Sequence, residues 1–96
     1  MKQEFDWRNT SKKAARNLRD HGVSFALAAT AFRDVFAIER IDDREDYGEE
    51  RIVMTAMAEG NVLLTVVYTE RRGRIRVISA RRATKREQND YFTQNS

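Results

Sequence analysis

Val62-Leu63-Leu64-Thr65-Val66-Val67-Tyr68-Thr69-Glu70-Arg71-Arg72-Gly73-Arg74-Ile75-Arg76-Val77-Ile78-Ser79 decides the fold of this chain. Its first six residues are apolar or Thr throughout, the composition of a strand in the middle of a sheet. Glu70 to Gly73 is a short connection containing Gly, which predicts an antiparallel hairpin into Arg74–Ser79. In that second strand Ile75 and Val77 alternate with Arg74 and Arg76. If the first pair faces the core, the second faces outward, so one strand carries both a core face and a basic face.

Moving outward, Arg51–Met57 reads as another strand, joined to Val62–Thr69 through Ala58-Glu59-Gly60-Asn61. Asp42 to Glu50, with Gly48, is the longest loop, and strand character before it runs from Val35 to Ile41. After a short lead with Phe5 and Trp7, which reads as a lid over the core, a helix is predicted over Ser11–Asp20. Its apolar stripe is Ala14, Ala15 and Leu18, with Lys12, Lys13, Arg16 and Arg19 around it. Gly22 supplies its C-cap. Ser24 caps a second helix with Phe25, Ala28, Ala29 and Phe32 at core spacing. Thr84-x-x-Glu87 is a capping box opening a last short helix. The whole of 1–96 is predicted as one α+β domain: two N-terminal helices packed on a four-stranded, mainly antiparallel sheet, with the helices on one sheet face. Phe25, Leu27, Phe32, Leu64, Val66, Ile75 and Val77 form its expected core.

Charge is distributed unevenly. Eight of the sixteen residues from Arg71 to Arg86 are basic and none is acidic, so with a whole-chain charge of +3 the remainder carries −5. Glu39 to Glu50 holds seven acids against two arginines. The basic stretch lies on predicted structured elements, which hold its guanidinium groups in place. Seven of the eight cations are Arg, whose planar fork matches phosphate oxygens in pairs. A nucleic-acid backbone is the partner this favours. The absence of Cys excludes disulfides and thiolate ligands, and a single His argues against a protein-built zinc site, so no metal or cofactor is expected. No apolar run approaches the roughly 20 residues of a membrane span, and no signal-peptide pattern opens the chain. A cytoplasmic protein without membrane contact is expected.

His21-Gly22-Val23-Ser24-Phe25, Val67-Tyr68-Thr69-Glu70 and the basic strand from Arg74 to Thr84 together resemble the BrnT family of RNA-cleaving toxins. The metal-free cleavage this resemblance implies needs a base near the 2′-hydroxyl, an acid near the leaving 5′-oxygen and cations around the phosphorane. Arginine suits the last role and not the first, because it does not deprotonate in proteins. Arg76, Arg81, Arg82 and Lys85 are the leading phosphate ligands, against a solvated basic face or ion pairs with the Asp42–Glu50 loop. Base candidates are His21, Glu70, Glu87 or a lysine. His21 stands at a helix end, where a cation also suits the helix dipole; Glu87 reads first as a helix cap and only second as a base. Tyr68 could stack on a base, although it shares a strand face with Leu64 and Val66. Arg74 and Lys13 are further candidate RNA contacts; Arg51, opening a strand after Glu49-Glu50, reads first as an ion pair and second as an RNA contact, whereas Arg71 and Arg72 in the hairpin read as solvated.

In full, the three pieces that carry this resemblance to the BrnT family of type II toxins are His21-Gly22-Val23-Ser24-Phe25 after a basic helix, Val67-Tyr68-Thr69-Glu70, and Arg74-Ile75-Arg76-Val77-Ile78-Ser79-Ala80-Arg81-Arg82-Ala83-Thr84. The likeness runs from Phe5 to Tyr91. It implies a RelE-like fold and an RNA-cleaving toxin in which Arg76, Arg81, Arg82, His21 and Glu70 are catalytic candidates. It also implies a BrnA-type antitoxin with a ribbon-helix-helix domain, a 2:2 heterotetramer, and repression of the operon through operator DNA bound by the antitoxin. Family members continue from the tryptophan into an acidic residue, where this chain has Arg8-Asn9-Thr10-Ser11. The rival reading is a non-catalytic RNA-binding or interaction module, though an RNP-like aromatic pair and a GXXG loop are both missing.

Overall fold

A computed structural model describes residues 3–96. The elements run α1 (Ser11–His21), α2 (Phe25–Thr30), a 3-10 turn (Ala31–Arg33), β1 (Ile38–Asp42), β2 (Arg51–Ala58), β3 (Val62–Arg71), β4 (Arg74–Arg82) and α3 (Lys85–Gln94). The four strands form one antiparallel sheet in the order β1-β2-β3-β4, so each strand lies beside its neighbour in sequence. Both expected hairpins are present. Arg72 and Gly73 fill the two-residue turn between β3 and β4 with φ of 53° and 77°, the positive values that match the twist of the flanking strands. Among the described residues no helix is long and apolar enough to cross a membrane.

The helices α1 and α2 cover one face of the sheet. Phe25 and Ala28 meet Met54, Ala56, Leu64, Val66, Tyr68, Ile75, Val77 and Ala80 there, while Leu27 and Phe32 are only partly buried at the margin. Gly22 ends α1 at φ 68°, donating its N–H to the Leu18 carbonyl, and the Ser24 side chain accepts the Leu27 N–H to start α2. The stripe expected on α1 is different in the structure. Ala15 and Leu18 are exposed, and the buried residue is Asn17. Its amide accepts the Ala80 N–H (3.0 Å) and donates to the carbonyls of Ala80 and Val23 (2.8 Å each). A polar side chain wins this position because β4 is an edge strand whose outward N–H and C=O need partners.

The N-terminal lead closes the other end of that edge. Ile75 donates to the Glu4 carbonyl (2.9 Å) and accepts from the Asp6 N–H (2.8 Å), a single parallel bridge at Phe5. Phe5 stacks on Trp7 with ring centroids 5.2 Å apart and meets Phe32 edge-on, the lid its position suggested.

Strand β1 starts at Ile38, three residues later than its apolar content suggests. Asp34 is the reason. Its carboxylate accepts the Phe36 N–H (2.9 Å), the Met57 N–H (2.8 Å) and the Tyr91 hydroxyl (2.5 Å), bending the chain into a turn and leaving Val35 88% exposed. Burial raises the Asp34 pKa, yet these three bonds outweigh it and hold the carboxyl below its usual range. Burial, and then Asp34, push the Tyr91 hydroxyl up to about 12.

Two features depart from the expected layering. Ser79 lies opposite Val67 while Val77 lies opposite Tyr68, so Ile78 is an extra residue, a β-bulge within β4. Secondly, α3 does not join α1 and α2. It lies against the opposite face, beside Val53 and Thr55 of β2 and Arg81 of β4. That face carries the buried Thr55 and Thr65, whose hydroxyls meet at 3.2 Å, and it needs a cover. The Thr84–Glu87 capping box that begins α3 is formed as expected.

Candidate nucleic-acid interface

Strand alternation places Arg74 and Arg76 on the face opposite α1 and α2, because Ile75 and Val77 are core residues. Beyond the bulge the phase changes. Ala80 is now the core residue, so Ser79 and Arg81 join Arg76 on the outer face. In a regular strand Arg76 and Arg81, five apart, would stand on opposite faces. Across the sheet Arg76 lies beside Thr69 and Arg81 beside Thr65, while Arg51 of β2 lies opposite Asp42 of β1.

Carboxylates hold most of these cations. Arg81 donates from Nη1 (2.7 Å) and Nη2 (2.9 Å) to the two oxygens of Glu87, and Nη1 also meets the Arg82 carbonyl at 3.3 Å. Arg81, against the effect of burial, and then the Thr84 N–H and the Thr65 hydroxyl bring the Glu87 carboxyl down to about 2. Arg76 is 15% exposed; its Nη1 donates to the Arg8 carbonyl at 2.6 Å and stands 4.0 Å from Asp6. Asp6 is gripped by the Arg8 Nε, Nη2 and backbone N–H, all at 3.0 Å, which hold its carboxyl far below the usual range. Asp42 is gripped in the same way by Arg44, with Nε and Nη2 at 2.8 Å, and lies at about 2. The Arg44 charge in turn reaches Arg81. Arg51 lies over the Tyr47 ring, 4.0 Å from its centroid, and its buried Nε has no hydrogen-bond partner among the described residues.

Within Arg71–Arg86, therefore, Arg71 pairs with Glu49 (2.9 Å), Arg74 with Glu4 (3.4 Å), Arg76 with Asp6 and Arg81 with Glu87. Arg71 is thus tied to the acidic loop instead of standing free in solvent. Arg72, Arg82, Lys85 and Arg86 have no ion pair among the described residues. The sequence pattern gave no sign of Arg8 or Arg44, because each lies outside the basic stretch and reaches the face only through a turn.

The other candidates fall elsewhere. Tyr68 is in the core, edge-on to Phe32, with its hydroxyl donated to Glu39; burial and then Glu39 raise its pKa far above the usual range. His21 is exposed one helical turn beyond Asn17, at the end of α1 that the Asn17–Ala80 bonds fasten to β4. Arg82, in phase with Ala80, lies at that same end. Glu70 is exposed opposite Ile75, at the far end of β4, about 20 Å away by strand rise. Lys13 is exposed on α1 and Lys85 opens α3. Among the described residues no three His, Cys, Asp or Glu side chains gather as metal ligands.

The Glu87 pair has a consequence in acid. A carboxyl whose folded pKa lies below its ordinary 4.5 adds stability that is complete above that value and is lost as the pH falls toward 2. With Arg81 41% exposed and screened, the contribution is on the order of 2 kcal/mol. Acid unfolding of Glu87→Gln should therefore converge with that of the parent between about pH 4.5 and 2. Asp6 and Asp42 titrate in both proteins, so curves that stay parallel would show that the pair adds nothing.

No curated protein matches the chain. One family model matches residues 9–87, from the turn before α1 to the first turn of α3: the ribonuclease toxin BrnT of type II toxin–antitoxin systems. The match spans both hairpins, the bulge, and the two elements that carry His21 and Arg81, leaving the lead up to Arg8 and most of α3 outside it. A basic face built on a folded sheet edge, in a chain matched over most of its length, identifies this protein as a member of the BrnT family of ribonuclease toxins.

Proposed function

We propose that this toxin cleaves RNA in the cytoplasm without a metal ion, by attack of a 2′-hydroxyl on the adjacent phosphate. The bulge at Ile78 carries the reading, because it turns Arg76 and Arg81 onto one face. Five residues of strand separate them by about 15 Å, too far to share one phosphate. Arg81 from the outer face and Arg82 from the α1 side flank the phosphorane across the edge of β4 at its C-terminal end, and Arg76, Arg74 and Arg51 hold the RNA farther along. The bond from the 2′-oxygen to phosphorus forms as the bond to the 5′-oxygen breaks, and the departing 5′-oxygen takes its proton from water. His21, at the Arg82 end, takes the proton of the 2′-hydroxyl. Glu70, at the opposite end, sits with the binding arginines instead of at the reacting phosphate. The single His and the lack of Cys support metal independence, since they leave no conventional ligand set.

The purified chain should cleave RNA equally with and without EDTA, leave 2′,3′-cyclic or 3′-phosphate ends, and spare a substrate with a 2′-deoxy nucleotide at the cut. Cleavage of the deoxy substrate, or loss of cleavage in EDTA, would overturn the mechanism.

Membership of a type II toxin–antitoxin family implies an antitoxin partner, and we further propose its kind. A BrnA-type antitoxin covers Arg76, Arg81 and Arg82, and its ribbon-helix-helix domain, completed by two chains, gives a complex of two toxins and two antitoxins. That complex binds operator DNA through the antitoxin and represses the operon. Toxin purified with its genomic neighbour should have the mass of this 2:2 assembly; recovery as a free monomer contradicts it.

A further inference from the structure

Between β1 and α3 the outer face opens into a cleft of about 530 Å3, ample for a planar base. Ile38 and Val53 line it with apolar surface, Arg40 comes from β1, and Arg86, Asp90 and Gln94 come from α3. Asp90 and Gln94 are one helical turn apart and so lie on one side of α3. Two carboxylates from α3 reach the cleft, and Glu87 is engaged, held by Arg81 and the Thr84 N–H; Glu39 turns its carboxylate to the other face, where it accepts the Tyr68 hydroxyl. Asp90 has no hydrogen-bond or ion-pair partner among the described residues, and neither have Arg40, Arg86 and Gln94. Glu87 links the two sites, since it lines the cleft and binds Arg81.

We propose that the cleft binds one unpaired guanine of the RNA substrate, with Asp90 as the specificity-determining residue. A carboxylate presents two coplanar acceptors. Guanine alone among the four bases offers two adjacent N–H donors on its pairing edge, at N1 and N2. Adenine and cytosine offer one amino group beside acceptors, and uracil one N–H between two carbonyls. Gln94 supplies an amide N–H to guanine O6, the guanidinium planes of Arg40 and Arg86 stack on the ring faces, and Ile38 and Val53 exclude water beneath it. The base is thereby anchored beside the phosphate at Arg81. This assignment rests on the ribonuclease reading and adds a base preference to it.

The test uses uncleavable 2′-O-methyl hexanucleotides: a uridine run with one central guanosine, and the same run with adenosine or inosine in its place. Anisotropy titration should show the guanosine oligomer binding about tenfold or more tighter than the adenosine one, the range of one good bidentate base contact. Inosine, which lacks the N2 amino group, should lose most of that gain. Asp90→Asn should bring the guanosine-to-adenosine ratio close to one; the residue is exposed, so the fold should tolerate the change. Equal affinities in the parent, or a ratio that survives Asp90→Asn, overturn the assignment. Mapping of cleavage ends on natural RNA separates the two readings: guanine preference in binding without any cleavage would defeat the ribonuclease mechanism and leave the cleft intact.

Discussion

Arg81→Ala should lower RNA cleavage by about 10²-fold or more, the scale of a lost oxyanion donor. A guanidinium has five N–H donors, and Arg81 uses three of them, two on Glu87 and one on the Arg82 carbonyl. Two remain for a phosphoryl oxygen. Because Glu87 already fixes the plane of the group, little rotamer freedom is lost when RNA arrives, and the charge acts on the transition state without reorganising. Arg81→Lys keeps the charge and loses the fork, so it should fall between parent and alanine variant. Arg71→Ala, half exposed on the hairpin, should weaken binding modestly and mainly at low salt. Thermal melting must accompany the kinetics, since the alanine variant leaves Glu87 with only its capping bonds and the Thr65 hydroxyl. Similar small losses for Arg81→Ala, Arg82→Ala and Arg71→Ala would replace a localised site with a diffuse electrostatic surface.

The largest effect on stability is expected away from any arginine. Asn17→Ala should cost about 3 kcal/mol or more, because it strands the Ala80 N–H, the Ala80 carbonyl and the Val23 carbonyl in a buried place, each worth roughly 1 kcal/mol at the least. For a domain of this size that lowers the melting temperature by about 12–25 °C. Asn17→Asp should be at least as harmful, since a carboxylate would face two carbonyls that now receive N–H groups. A shift of less than about 4 °C for Asn17→Ala would mean that water replaces the amide and that the edge of β4 is not truly closed.

Asn17 also marks where the sequence stops being legible. The hairpins could be read from Arg51–Ser79 because strand character and turn residues agree, and the caps at Gly22, Ser24 and Thr84 follow from local chemistry. A helix stripe read from Ala14, Ala15 and Leu18 could not anticipate that the buried contact is a sheet edge wanting hydrogen bonds. Asp34 shortened β1 for a related reason: a side chain meeting backbone amides from another element leaves no periodic trace. The arginines were found by charge alone, but their grouping was not. Which of them share a face depends on Ile78, and a bulge inside an apolar strand has no compositional mark. Arg8 and Arg44 were missed because a turn, not a pattern, delivers each of them.

The extra residue in β4 makes the strand two sentences with a comma between them. Ahead of it, Arg74 and Arg76 keep step with Ile75 and Val77; behind it, Arg81 keeps step with Ala80 in the opposite rhythm. Each half can therefore vary under its own constraint, the first against the N-terminal lead and the second against α3, without forcing the other to change side. Length, more than identity, is what the stretch from Val77 to Ala80 must conserve. Removing one residue there would leave every arginine in the sequence and send Arg76 or Arg81 to the wrong side of the sheet.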